Sequence, residues 1–115
     1  MARKDQYTYG RMKEQKLAEM LRKKGASVRV RQASRGPGDM EAKFSTGRKW
    51  LIEVKSSRSG EARSLSSEEK RRLNQAADRK GATPVLARVT RRGVEFKSTR
   101  SDRRLSPSPR TKRGK

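Results

Sequence analysis

The sequence predicts an α/β fold: a central sheet flanked by two helices, in the order α-β-β-β-α-β-β, followed by a basic tail. Three observations carry this. Short stretches of apolar alternation mark strands, a capping-box sequence opens a helix, and a glycine follows each helical stretch. The patterning works against an adverse composition. Leu, Ile, Val and Phe are 16 of 115 residues, about 14%, and the formal net charge is +21. Such a composition taken alone points to disorder.

The first helix is expected over 11–24, where Leu17 and Leu21 stand four apart with Ala18 and Met20 beside them. Gly25 fits the residue just past its end. Residues 27–32 alternate, with Val28 and Val30 on one face. After the turn Arg35-Gly36-Pro37-Gly38 the stretch 39–44 alternates again, Met40, Ala42 and Phe44 against Asp39, Glu41 and Lys43. A turn at 45–48 leads into 49–56, where Trp50, Ile52 and Val54 oppose Leu51, Glu53 and Lys55. Ser66-Ser67-Glu68-Glu69 is the capping box of the second helix, with Leu73, Ala76 and Ala77 as its buried stripe and Gly81 as its stop. Strands at 84–89 and 94–98 flank the turn Arg91-Arg92-Gly93.

One domain is expected over 1–97, and a disordered basic tail over 98–115. The tail has seven basic residues, one Asp and a Ser-Pro-Ser-Pro stretch at 106–109. Its charge of +6 leaves about +15 on the domain, so basicity is not merely a property of the tail.

The chain has no His and no Cys. That excludes zinc fingers, Ser-His-Asp triads, Cys/His nucleophile pairs and imidazole bases. Any catalysis must use carboxylates, Lys, Ser or Tyr, with a hard metal ion. The lack of Cys suits the cytoplasm. No apolar stretch is long enough to span a bilayer, and no signal peptide follows Met1, so no membrane partner is expected.

Asp39 opens one strand and Glu53-Val54-Lys55 ends the next, across a hairpin. Alternation puts Glu53 and Lys55 on one face, and hairpin pairing can bring Asp39 beside them. Two carboxylates and a Lys make a site for Mg²⁺, in which the metal polarises a phosphate and Lys55 orients water or stabilises charge. A solvated strand face is the plainer alternative. Glu14, three residues before Leu17, is a candidate third carboxylate, or else a helix-surface ion-pair partner. Ser34 and Arg35 precede Asp39 in a short loop that can hold a phosphate, or that is an ordinary polar turn.

The ordered set Glu14, Ser34, Gly36-Pro37-Gly38-Asp39, Glu53-Val54-Lys55 and Pro84-Val85-Leu86-Ala87 resembles the PD-(D/E)xK nuclease superfamily, and within it the archaeal-type Holliday junction resolvases. The likeness spans about 8–98. Where the superfamily has Pro-Asp, this chain has Pro37-Gly38-Asp39.

The resemblance implies a restriction-endonuclease-like mixed sheet. It also implies a homodimer that binds four-way DNA junctions and nicks opposed strands symmetrically with Mg²⁺ or Mn²⁺, resolving recombination intermediates. By the same analogy Asp39, Glu53 and the Val54 carbonyl hold metal. Glu14 helps as a ligand or through water, Lys55 assists the attacking water, and Ser34 contacts the phosphate. A domain with so small a core also gains from burying surface against a copy of itself. Two alternatives remain: a related nuclease acting on flaps or duplex DNA, and a non-catalytic basic nucleic-acid-binding protein.

The DNA-binding candidates are Arg29, Arg31, Arg35, Arg58, Arg63, Lys70, Arg71, Arg72, Arg91 and Arg92. Together they suit phosphate tracking with little base readout. Trp50, Phe44 and Phe96 fall at core positions of strands, so no base-stacking platform is expected.

Overall fold

A computed structural model describes residues 2–30, 38–56, 65–90 and 93–107. The elements are α1 (Ala2–Lys23), β1 (Ser27–Val30), β2 (Met40–Lys43), β3 (Lys49–Ser56), α2 (Ser67–Lys80), β4 (Thr83–Thr90), β5 (Gly93–Ser98) and β6 (Arg104–Leu105). The strands lie side by side in chain order in one mixed sheet. All neighbours are antiparallel except β3 and β4. Parallel neighbours need a crossover rather than a hairpin, and α2 supplies it. The expected α/β architecture and its order of elements are the ones observed.

The helix ends form as their residues dictate. Ser66 Oγ accepts the Glu69 N–H at 3.1 Å, while Glu69 Oε1 accepts the Ser66 N–H at 2.9 Å. Two otherwise orphaned donors are thereby satisfied at the start of α2. Gly81 closes the helix in the left-handed conformation, its N–H donating back to the Ala77 and Asp78 carbonyls.

Each face of the sheet has its own core. Leu17, Ala18 and Leu21 of α1 pack against Met40, Ala42, Trp50, Ile52, Val85, Ala87 and Phe96. Trp50 is the centre of this layer, with the Phe44 ring 4.8 Å away and the Phe96 ring 5.4 Å away. On the other face Leu73 and Ala77 of α2 meet Leu51, Leu65 and Leu86. Only 29% of the chain is hydrophobic, yet the alternation places much of that share in these two layers.

Three expectations are corrected or bounded. α1 begins at Ala2 rather than at 11, because the helix runs back through Tyr7-Thr8-Tyr9-Gly10, residues of weak helix propensity. β1 ends at Val30, and Arg31 and Gln32 lie outside the described residues. The segment expected as a disordered tail is ordered from 98 to 107. Ser98 and Thr99 are buried, and Thr99 Oγ1 bonds Asn74 Oδ1 at 2.6 Å. Ser98 Oγ accepts the N–H groups of Arg100 and Ser101, and the Ser98 N–H donates to the Arg103 carbonyl at 2.8 Å. The turn this makes returns Arg104 and Leu105 to pair with Lys97 and Phe96. Side-chain-to-backbone bonds hold the turn, and composition cannot register them. Residues 108–115 lie outside the described residues.

Candidate active site

The β2–β3 register pairs Met40 with Ile52, and the Asp39 N–H donates to the Ile52 carbonyl at 2.7 Å. Asp39 therefore stands across from Glu53, with both side chains on one face. A reciprocal clamp joins them. Asp39 Oδ2 accepts the Val54 N–H at 2.8 Å, and Glu53 Oε1 accepts the Gly38 N–H at 2.9 Å. Each carboxylate is thus anchored to the main chain next to the other.

The clamp requires glycine at 38. Its φ is +92°, and a Cβ there would lie 2.6 Å from Leu51 Cδ1. Gly38 thereby lies directly against Leu51 of the α2-side core.

Asp39 is 8% exposed and Glu53 is half-buried. Burial raises the Glu53 pKa above its ordinary value, and the charge of Asp39 raises it further. The Gly38 N–H and Lys55 oppose both effects. Two carboxylates held this close favour a proton or a cation between them.

Lys55 lies two residues along the same face, its Nζ 3.4 Å from Glu69 Oε2. Glu69 is the residue that completes the α2 capping box. Its pKa is lowered, chiefly by the Ser66 N–H; desolvation opposes this, and Lys55 lowers it further. One glutamate therefore both starts the crossover helix and positions the lysine. Arg88 of β4 is the strand-register neighbour of Lys55 and pairs with Glu95 at 3.5 Å. The sequence alone does not single out Arg88. Its only signal was its position two residues after Leu86, which places it on the α2 side of the sheet.

Glu14 lies on α1 and is half-buried. Among the described residues no three acidic side chains gather closely enough to hold one ion. α1 packs on the face carrying Trp50 and Ile52, while Glu53 and Lys55 are on the α2 face. Ser34, Arg31, Arg35, Arg58, Arg63, Arg91 and Arg92 lie outside the described residues. Arg29 is exposed on β1. Lys70 is 3.7 Å from Asp102, while Arg71 and Arg72 are 4.0 and 2.8 Å from Glu68.

The donor set suits a hard divalent cation. Asp39 and Glu53 supply carboxylate oxygens. The Val54 carbonyl points to the same side of β3 as its N–H, toward Asp39. Mg²⁺ is commonly held by one or two carboxylates, with waters and substrate phosphate completing its shell. A third acid is not needed.

The chain is thus an α/β protein whose mixed sheet, with an antiparallel hairpin and a helical crossover, holds a clamped Asp…Glu-x-Lys set. The solved structure of Archaeoglobus fulgidus Hjc, a Holliday junction resolvase from an archaeal hyperthermophile, shares this fold. Its TM-score is 0.66 at 23% identity, covering 76% of this chain and 74% of that one. No protein-family model matches the chain, and no curated protein sequence does.

Proposed function

We propose that the chain is a metal-dependent DNA endonuclease that binds four-way junctions and nicks opposed strands symmetrically. The observation that carries this reading is the Asp39–Glu53 clamp with Lys55 beside it, on a fold shared with a Holliday junction resolvase. Mg²⁺ or Mn²⁺ held by Asp39, Glu53 and the Val54 carbonyl would polarise the phosphate and lower the pKa of a bound water. The Gly38 and Val54 N–H groups fix both carboxylates before substrate arrives, so little reorganisation accompanies the reaction. Lys55, held by Glu69, orients the attacking water and stabilises charge growing on the phosphate oxygens. Ser34 and Arg35 contact the same phosphate.

Symmetric nicking needs two sites related by a two-fold axis, which a homodimer provides. The two thin cores favour the same assembly. No helix among the described residues is long and apolar enough to cross a membrane, and we read the protein as cytoplasmic. The test is to incubate it with a four-way junction, a flap and a linear duplex of matched sequence in Mg²⁺. Paired nicks in opposed strands of the junction are expected. Preferential cutting of the flap or duplex overturns the junction reading, and no cutting of any substrate overturns the enzyme.

A further inference from the structure

α2 covers only part of the sheet face that carries Asp39 and Glu53. Its buried side chains meet Leu51 of β3 and Leu86 of β4. Over β1 and β2 no described element covers the same face. Arg29, Lys43, Lys49 and Lys80 are exposed there, and with Glu41 they line a shallow depression of about 530 Å³ floored by the strands.

These charges are not arranged for stability. Lys43 lies directly opposite Lys49 in the β2–β3 register, and like charges so placed destabilise a sheet. Among the described residues neither has a carboxylate within ion-pair distance. Glu41 stands across from Arg29, but its carboxylate is 3.1 Å from Lys80. The basic residues of the first turns of α2 differ, since Lys70, Arg71 and Arg72 each have an acidic partner. Arg29, Lys43 and Lys49 thus stand together on this sheet face with no ion-pair partner among the described residues.

Glu41, at the edge of the depression, connects it along β2 to the carboxylate clamp. Asp39, Glu41 and Lys43 occupy alternate positions, so one row leads from the clamp to the lysines. At ~3.4 Å per residue, Lys43 is about 14 Å from Asp39.

We infer that the open β1–β2 face is a track for the DNA phosphodiester backbone, holding the strand on one side of the phosphate seated at Asp39 and Glu53. The inference rests on reading that pair as the cleavage site. Lysine ammonium groups meet phosphates as point charges with permissive geometry, so the track holds DNA of any sequence. A second copy of the chain is a poor occupant, because a two-fold contact would set these cations against themselves.

The test measures junction binding by the full chain in Ca²⁺, without cleavage, over a range of salt. Lys43→Ala with Lys49→Ala is expected to weaken binding about tenfold or more and to make the salt slope shallower by about 2. Its melting temperature should hold or rise, since the like-charge pair is gone. Glu41→Gln should bind more tightly than wild type, an effect that loss of folding cannot imitate. Lys16→Ala with Lys23→Ala, the same charge change made on α1, should weaken binding less than the sheet variant.

Wild-type affinity in the Lys43/Lys49 variant overturns the track, as does equal weakening by the α1 variant. Preference of the patch for anionic vesicles over DNA also overturns it. If wild type binds through these lysines but cuts nothing in Mg²⁺, the cleavage reading fails while the track stands. If it cuts normally but binds independently of them, the track alone fails.

Discussion

The two faces of the sheet use the same alternating strands for opposite ends. On the α1 face Met40 and Ala42 of β2 and Trp50, Ile52 and Val54 of β3 are apolar, and Trp50 lies between two other aromatic rings. On the α2 face the alternate positions hold Asp39, Glu41, Lys43, Glu53 and Lys55, with Leu51 as the apolar anchor beneath α2. The α1 face contributes most of the packing, and that packing holds a charged face in place. A β-hairpin can do both because neighbouring residues point to opposite sides.

The sharpest way to break this division is to change the charged face without touching the packed one. Asp39→Asn and Glu53→Gln should each lower junction cleavage by a factor of about 10³ or more, the equivalent of ~4 kcal/mol. Junction binding in Ca²⁺ should stay close to wild type. A residual rate near wild type would remove the clamp from the chemistry.

Trp50→Ala should cost about 3–5 kcal/mol in denaturant unfolding, a large part of a small domain's stability. Leu73→Ala on the α2 side should fall toward the lower end of 2–5 kcal/mol, because its core is smaller. The reverse ranking would mean that the α2 face contributes more to stability than the α1 face.

Gly38→Ala joins the two properties. A methyl group at 2.6 Å from Leu51, in a backbone conformation that disfavours side chains, should cost about 1–3 kcal/mol. Cleavage should fall with it, because the Gly38 N–H holds Glu53. Ser66→Ala removes one arm of the capping box and should cost about 1 kcal/mol.

The smallest expected effect is on pH dependence. Burial first, and Asp39 second, hold the Glu53 pKa above its ordinary value. The native state therefore binds that proton more tightly than the unfolded chain does. Its stabilising contribution is complete below the ordinary glutamate value and is lost as pH rises through the raised one. Without metal, Glu53→Gln should gain in melting temperature over wild type as pH climbs through that window. Glu69 has the opposite sign: its lowered pKa gives stability that is lost on acidification.

Much of this organisation is legible in the sequence because it is local. Period-two alternation reveals the β2–β3 hairpin and the common face of Glu53 and Lys55. Ser66, Glu69 and Gly81 mark the ends of α2 through bonds made within a few residues. What is not legible depends on which helix covers which face. Glu14 cannot be assigned to a side of the sheet from α1 alone. The second role of Glu69, holding Lys55, needs the crossover to bring α2 back over β3. The opposition of Lys43 and Lys49 needs the hairpin register, and their exposure needs the limits of α2. β6 is hidden because Arg104-Leu105 carries no strand signal of its own and pairs only after the Ser98–Asp102 turn has formed.

The most direct test of the central claim is the melting temperature of the metal-free protein titrated with Mn²⁺, for wild type, Asp39→Asn and Glu53→Gln. The clamp predicts a rise for wild type that keeps growing with the logarithm of Mn²⁺ concentration above Kd, equivalent to about 2.7 kcal/mol of added stability at a hundredfold excess over Kd, and no such rise for either variant. Equal stabilisation of all three by Mn²⁺ would contradict a metal site at Asp39 and Glu53.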